Sequence, residues 1–222
     1  MIDTIVVSGG NIQEDFALDF LKKTEEKQGK MPYLIAADKG LEFFLHTGIC
    51  PDMAVGDFDS LSDEGEEFLK SLENTEICRL RPEKDDSDTQ SAVCRAAERG
   101  GKNIVLFGCL GTRLDHTFAN MGLLVWGQQR GIRVSIYDRY NYITMIESGT
   151  VLKRKEQFGK YVSFFSMGGD VSGLTLKGFK YPLNCHYLTV SDCGLTVSNE
   201  ISEEEAEVTF DSGNLVMIMS RD

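Results

Sequence analysis

No Cys-x-x-Cys pair occurs among Cys50, Cys78, Cys94, Cys109, Cys185 and Cys193, which argues against a zinc site and against a secreted disulfide framework. Scattered thiols of this kind fit a reducing cytosol. No segment approaches the roughly 20 consecutive apolar residues of a membrane span. The opening run, residues 1–7, has no basic region and is too short for a signal peptide, so a cytoplasmic location without membrane association is expected. Positive charge is scarce: Lys plus Arg number 23 against 35 Asp plus Glu, a net charge of -12. A phosphate-rich polymer would be repelled, so no nucleic-acid partner is expected. A small anionic substrate remains compatible if a metal neutralises it locally. There is no Gly-x-x-x-x-Gly-Lys-Ser/Thr loop and no Gly-x-Gly-x-x-Gly fingerprint, which removes the P-loop and dinucleotide-binding explanations. Internal repeats and low-complexity tracts are also missing, and Glu203-Glu204-Glu205 reads as a solvated loop.

What is present is the composition of an ordinary globular chain. With 222 residues, 41% of them hydrophobic, it can bury about 70% of its unfolded surface without disulfides or metals. Short apolar runs at residues 2–8, 33–37, 53–55, 75–80, 103–107 and up to Ile136 alternate with helical patterns. Phe16, Phe20 and Leu21 mark the first helix, and Leu41, Phe44 and Leu45 the second. Residues 61–72 form the third, Ala92, Val93, Ala96 and Ala97 mark the fourth, and Leu114, Phe118, Met121 and Val125 the fifth. Such βα alternation predicts a mostly parallel sheet flanked by helices. From about Tyr140 the helical period stops. Short β-rich runs at 142–146, 161–165, 174–176, 187–190, 207–210 and 215–219 follow, several alternating apolar and polar residues. The expected fold class is α/β over residues 1–144, followed by a small antiparallel β-sandwich over 145–222.

The strongest chemical signal is Gly56-Asp57-Phe58-Asp59-Ser60. If Ala54 and Val55 finish a buried strand, Asp57 and Asp59 leave its carboxyl end, where open α/β sheets put their ligands. Side chains two apart in an extended segment share a side, so both carboxylates can face one hard cation such as Mg2+. The bland alternative is a turn and helix cap. Lys84-Asp85-Asp86-Ser87-Asp88 precedes the fourth helix, with Ser87 and Gln90 placed as a capping box. Acids favour a helix N-terminus in any case. Yet Asp88, and Asp85 beside it, stand where they can complete an oxygen-rich site while Lys84 offers a charge to a phosphate. In Gly111-Thr112-Arg113-Leu114-Asp115-His116, Arg113 is placed to clamp a phosphate. His116 and Asn120 share a helix face. Ser198-Asn199-Glu200 by itself reads as a turn.

Taken in order, Asp38-Lys39-Gly40, Gly56 to Ser60, Lys84 to Asp88, Arg113 to His116 with Asn120, and Ser198-Asn199-Glu200 resemble the thiamine pyrophosphokinase family over nearly the whole chain. The resemblance implies transfer of pyrophosphate from ATP to the hydroxyethyl group of thiamine, giving thiamine diphosphate and AMP. It implies an ATP- and Mg2+-binding catalytic domain, a thiamine-binding sandwich, and a homodimer with the thiamine pocket between subunits. By matching position, Asp57, Asp59 and Asp88 are implied as metal ligands, with Asp85 a further candidate. Asp38, Ser60, Lys84 and Arg113 are implied at ATP, and Asp115, His116, Asn120, Ser198 and Asn199 at thiamine. Asp115 or Asp59 is the expected acceptor of the alcohol proton. The chain departs from the family pattern at Lys39 and Thr112, where the family usually has glycine, and Trp126 lies in a helix rather than in the sandwich. The alternatives are another metal-dependent small-alcohol kinase, a phosphohydrolase, or a non-catalytic thiamine or nucleotide sensor.

Overall fold

The computed structural model describes residues 1–222 apart from Pro82, Lys84, Asp85, Thr112 and Cys193. The chain forms two compact units, Met1–Arg139 and Tyr140–Asp222.

In the first unit, β1 (Thr4–Val7), β2 (Tyr33–Ala37), β3 (Met53–Gly56), β4 (Glu76–Arg79), β5 (Asn103–Phe107) and β6 (Arg133–Tyr137) lie in the order β4-β3-β2-β1-β5-β6. Every pairing among them is parallel. β1, β3 and most of β2 and β5 are buried throughout, as expected of parallel strands covered on both faces. β4 is the edge strand and is largely exposed. The chain runs outward from β1 to β4, then returns to place β5 on the other side of β1. The carboxyl ends of β1 and β5 therefore flank the point where strand order reverses, the position at which open α/β sheets hold ligands.

The connecting helices are α1 (Glu14–Gln28), α2 (Leu41–Thr47), α3 (Asp63–Ser71), α4 (Asp88–Glu98) and α5 (Leu114–Gln128). α1 runs past the last apolar residue of its sequence pattern, because the polar segment after it favours helix until Gly29 turns left-handed at φ 74°. Phe16 and Phe20 of α1 pack against Phe107 with ring centroids 6.2 and 5.2 Å apart. Ser62 caps α3 by accepting from Gly65 N, and Ser87 caps α4 by accepting from Gln90 N at 3.1 Å. The capping box is half formed: the Gln90 amide turns to the Asp86 carboxylate. On α5 the buried face carries Asn120, Leu123, Leu124 and Gly127, whereas Leu114 and Phe118 are 67% and 75% exposed. The apolar residues that mark this helix in the sequence are thus not all core residues.

The second unit is built from β7 (Asn141–Ile146), β8 (Thr150–Lys153), β9 (Tyr161–Ser166), β10 (Val171–Lys177), β11 (Leu183–Leu188), β12 (Glu205–Thr209) and β13 (Leu215–Ser220). Strands β7-β13-β9 pair antiparallel, as do β11-β10-β12-β8. One core joins the two layers: Val162, Phe164, Leu215 and Met217 from the first meet Val171, Leu174, Leu176 and Val208 from the second. This is the expected antiparallel sandwich. Two details differ from the sequence reading. The sequence pattern does not mark β8, because its four residues carry no run longer than two apolar positions. β11 lies earlier than residues 187–190, with Cys185 in a left-handed conformation and Val190 84% exposed beyond its end.

Candidate active site

A cleft of about 530 Å³ opens at the carboxyl ends of the parallel strands, lined by turns that follow β1, β2, β3 and β5 and by the start of α4. β2 ends directly in Asp38, which begins a 3-10 turn with φ 47°. A non-glycine residue there is uncommon, though aspartate tolerates it better than most. Gly56 makes room for it: a Cβ at Gly56 would lie 3.0 Å from Asp38 Cα. The Ser60 hydroxyl donates to Asp38 Oδ2 at 2.5 Å, while Asp38 Oδ1 is buried without a hydrogen-bond partner.

Asp57 and Asp59 leave β3, but not in the extended form read from the sequence. Phe58 between them has φ 63°, a strained conformation for a bulky residue that costs about 1–3 kcal/mol. Its ring is 5% exposed and packs into the core of the first unit, with the Arg79 guanidinium 5.4 Å from its centroid. Burying the ring kinks the chain; Asp57 lines the cleft, and Asp59 is exposed with an oxygen within reach of it. Each of Asp38, Asp57 and Asp59 offers an oxygen within 4.8 Å of the others. Three carboxylates this close repel one another. The Asp59 carboxyl is pushed up, chiefly by the Asp57 charge, with further contributions from desolvation and the Asp38 and Asp88 charges. The donor set is all hard oxygen, which suits Mg2+. The buried, unpartnered oxygen of Asp38 gives a cation a specific reason to sit there.

Asp88 lines the cleft as the first residue of α4. It is close enough to Asp59 to raise it, yet falls outside the close trio. Lys84 and Asp85 lie outside the described residues, as does Thr112. Arg113 reaches Asp115 through Nη2 to Oδ2 at 2.6 Å and Nε to Oδ1 at 3.2 Å. That bond holds the Asp115 carboxyl below the usual carboxylate range. His116 is exposed on the cleft wall, and Asn120 is buried with its Nδ2 donating to Cys109 O at 2.9 Å. Asn120 thereby fastens the turn after β5.

Ser198 and Asn199 belong to the second unit. Ser198 has φ 56° and its N–H donates to Ser163 Oγ. Asn199, 2% exposed, accepts from Tyr181 N and Glu200 N and donates to Tyr181 O. Its amide is thus engaged within its own unit. Sequence reasoning missed Ser8 and Thr89, both on the cleft, whose hydroxyls lie 2.8 Å apart. The glycines after Ser8 were the available signal, since Gly9 and Gly10 line the same cleft.

Comparison with known proteins agrees with this architecture. Residues 24–136 match the family profile described as thiamin pyrophosphokinase, catalytic domain, and residues 149–215 match thiamin pyrophosphokinase, vitamin B1 binding domain. The chain is 35% identical over 188 residues to a thiamine pyrophosphokinase of Bacillus subtilis (strain 168), covering 85% of this chain and 87% of that one. A crystal structure of the thiamine pyrophosphokinase from Bacillus subtilis superposes with a TM-score of 0.85 at 31% identity over 99% of both chains. One from Geobacillus thermodenitrificans superposes with a TM-score of 0.83 at 30% identity, covering 100% of this chain and 98% of that one. By both its domains and its overall sequence, the chain belongs to the thiamine pyrophosphokinase family.

Proposed function

We propose that the cleft of the first unit carries out the reaction of this family on ATP and thiamine. The chain is a transferase: it moves the pyrophosphoryl group of ATP to the hydroxyethyl oxygen of thiamine and releases thiamine diphosphate and AMP. The oxygen–β-phosphorus bond forms as the bond from that phosphorus to the α-phosphate bridging oxygen breaks, and the alcohol proton passes to a base. Such a transfer needs in-line placement and charge stabilisation more than covalent help. The observation that carries the site assignment is the convergence of Asp38, Asp57 and Asp59 to within 4.8 Å of one another, with Asp38 and Asp57 lining the same cleft as Arg113.

Asp57, Asp59 and Asp88 are read as the holders of Mg2+, with Asp38 joining them through its unpartnered Oδ1 and Asp85 in reserve. When bound, the ion neutralises and orients the triphosphate. Asp38, Ser60, Lys84 and Arg113 serve ATP. Arg113 is engaged by Asp115 through Nε and Nη2, so a phosphate reaches the guanidinium at its remaining N–H groups or by taking the place of the carboxylate. Where a phosphate displaces it, Asp115 gains proton affinity, and Asp115 or Asp59 is the acceptor of the alcohol proton. His116 and Asn120, with Ser198 and Asn199, are assigned to thiamine. On this reading residues 1–144 bind ATP and the metal, and residues 145–222 bind thiamine. The active species is a homodimer with thiamine between subunits, in the cytoplasm. Among the described residues no helix is long and apolar enough to cross a membrane.

The test is the nucleotide product. Incubated with ATP, Mg2+ and thiamine, the chain is expected to release AMP in step with thiamine diphosphate. ADP would identify a kinase instead, and phosphate release independent of thiamine would identify a phosphohydrolase.

A further inference from the structure

Ser60 sits in the turn after β3, two residues beyond the buried Phe58, and reaches across to Asp38, the residue that follows β2. Its hydroxyl holds one oxygen of Asp38 at 2.5 Å and leaves the other buried and unpartnered. Asp38 has little freedom otherwise. Its backbone is in the left-handed region, and Gly56 packs so closely that a Cβ there would lie 3.0–3.2 Å from its Cα, Cβ and N. We propose that Ser60 is a positioning residue for the metal site: by binding Asp38 Oδ2 it fixes the orientation of the Asp38 carboxylate beside Asp57 and Asp59.

The argument rests on the metal reading above and adds to it. A carboxylate rotates about a soft terminal torsion, so an aspartate with neither oxygen held would turn its charges apart from those of Asp57 and Asp59. Ser60 opposes that rotation. It also comes from the same turn as Asp57 and Asp59, so one hydrogen bond registers the carboxylate of one strand against those of its neighbour. Outer-sphere partners of metal ligands are typically worth 10–100-fold in affinity. Ser60 is exposed, so water can partly replace it, and the lower end of that range applies.

Mn2+ binding to the nucleotide-free full chain, read by electron paramagnetic resonance, tests this without turnover. Ser60→Ala is expected to weaken Mn2+ binding about tenfold, and Ser60→Thr, which keeps the hydroxyl, to restore it to near the wild-type value. In an Asp38→Ala background, Ser60→Ala is expected to cost nothing further, since its effect passes through Asp38. Affinity of Ser60→Ala within twofold of wild type would overturn the proposal, as would an effect that persists at full size in the Asp38→Ala background. Thermal melting of each variant separates site effects from unfolding. If wild type shows no saturable Mn2+ binding, or Asp57→Asn binds as wild type does, the metal reading itself falls and the proposal with it. Loss in Asp57→Asn together with no loss in Ser60→Ala rejects the positioning role alone.

Discussion

Arg113 Nη2 lies 2.6 Å from Asp115 Oδ2, so the cation assigned to the substrate phosphate is already bound by a carboxylate two residues away. Both side chains are well exposed, so this pair contributes little to stability. Arg113→Ala should lower kcat/KM for ATP about 10- to 100-fold, the loss expected for a charge-assisted hydrogen bond. Asp115→Asn should instead leave KM for ATP unchanged or lower, because the competitor is gone, while kcat falls. Steady-state kinetics with ATP varied at saturating thiamine distinguishes the two. Parallel losses in KM for both variants would show that the pair acts as a unit that never opens.

Asp57→Asn and Asp59→Asn should each reduce turnover roughly 100- to 1000-fold, in the range seen when one charge-stabilising group is removed. The same substitutions should leave the metal-free melting temperature unchanged or slightly raised. The Asp57 charge pushes the Asp59 carboxyl up, so the carboxylates destabilise one another in the folded state, and removing one relieves it. A clear drop in melting temperature for Asp57→Asn would mean that these groups support the fold rather than a ligand.

The pairing of Asp57 with Asp59 was legible in the sequence, but the reason for it was not. Alternation in an extended segment predicts a shared side. The chain reaches that outcome through a left-handed Phe58 whose ring is drawn into the core, and no local pattern distinguishes the two routes. The company Asp38 keeps was also hidden. It follows β2 and the other two follow β3, and the strand neighbourhood of Ala37 and Val55 is a tertiary fact. Leu114 and Phe118 have the spacing of a core stripe yet are exposed on α5, since period alone does not say which face is covered. The βα alternation was readable because parallel strands buried on both faces leave continuous apolar runs. β8 left only Val151 and Leu152 as a signal.

Phe58 gives a prediction on stability. Phe58→Ala should destabilise the chain by about 3–5 kcal/mol, the usual range for emptying a buried aromatic site. Phe58→Gly removes the same ring but has no penalty at φ 63°, where a Cβ costs about 1–2 kcal/mol. Glycine should therefore be the more stable of the two by roughly 1 kcal/mol, the reverse of the order at ordinary positions. Urea unfolding of both variants measures the difference, and alanine ranking above glycine would contradict the left-handed geometry.

Cys109 follows β5 at the floor of the cleft, fully buried, and its thiol is pushed up to about 12 by desolvation, only partly offset by a hydrogen bond to Ser8. The thiolate is the reactive form, so at pH 8 this cysteine should resist iodoacetamide in the folded chain, while the exposed Cys50 and Cys185 are alkylated. Unfolding in urea should bring Cys109 to the rate of the others. The same shift sets a direction for stability. The ordinary thiol value is 9.0, so the unfolded chain loses this proton first as pH rises. The contribution of the neutral thiol is intact below about 9 and is lost progressively toward 12. Cys109→Ala should flatten that part of the stability profile. Mass spectrometry of partially alkylated protein reads the first effect and urea midpoints across alkaline pH the second; rapid labelling of Cys109 in the native chain at pH 8 would refute both.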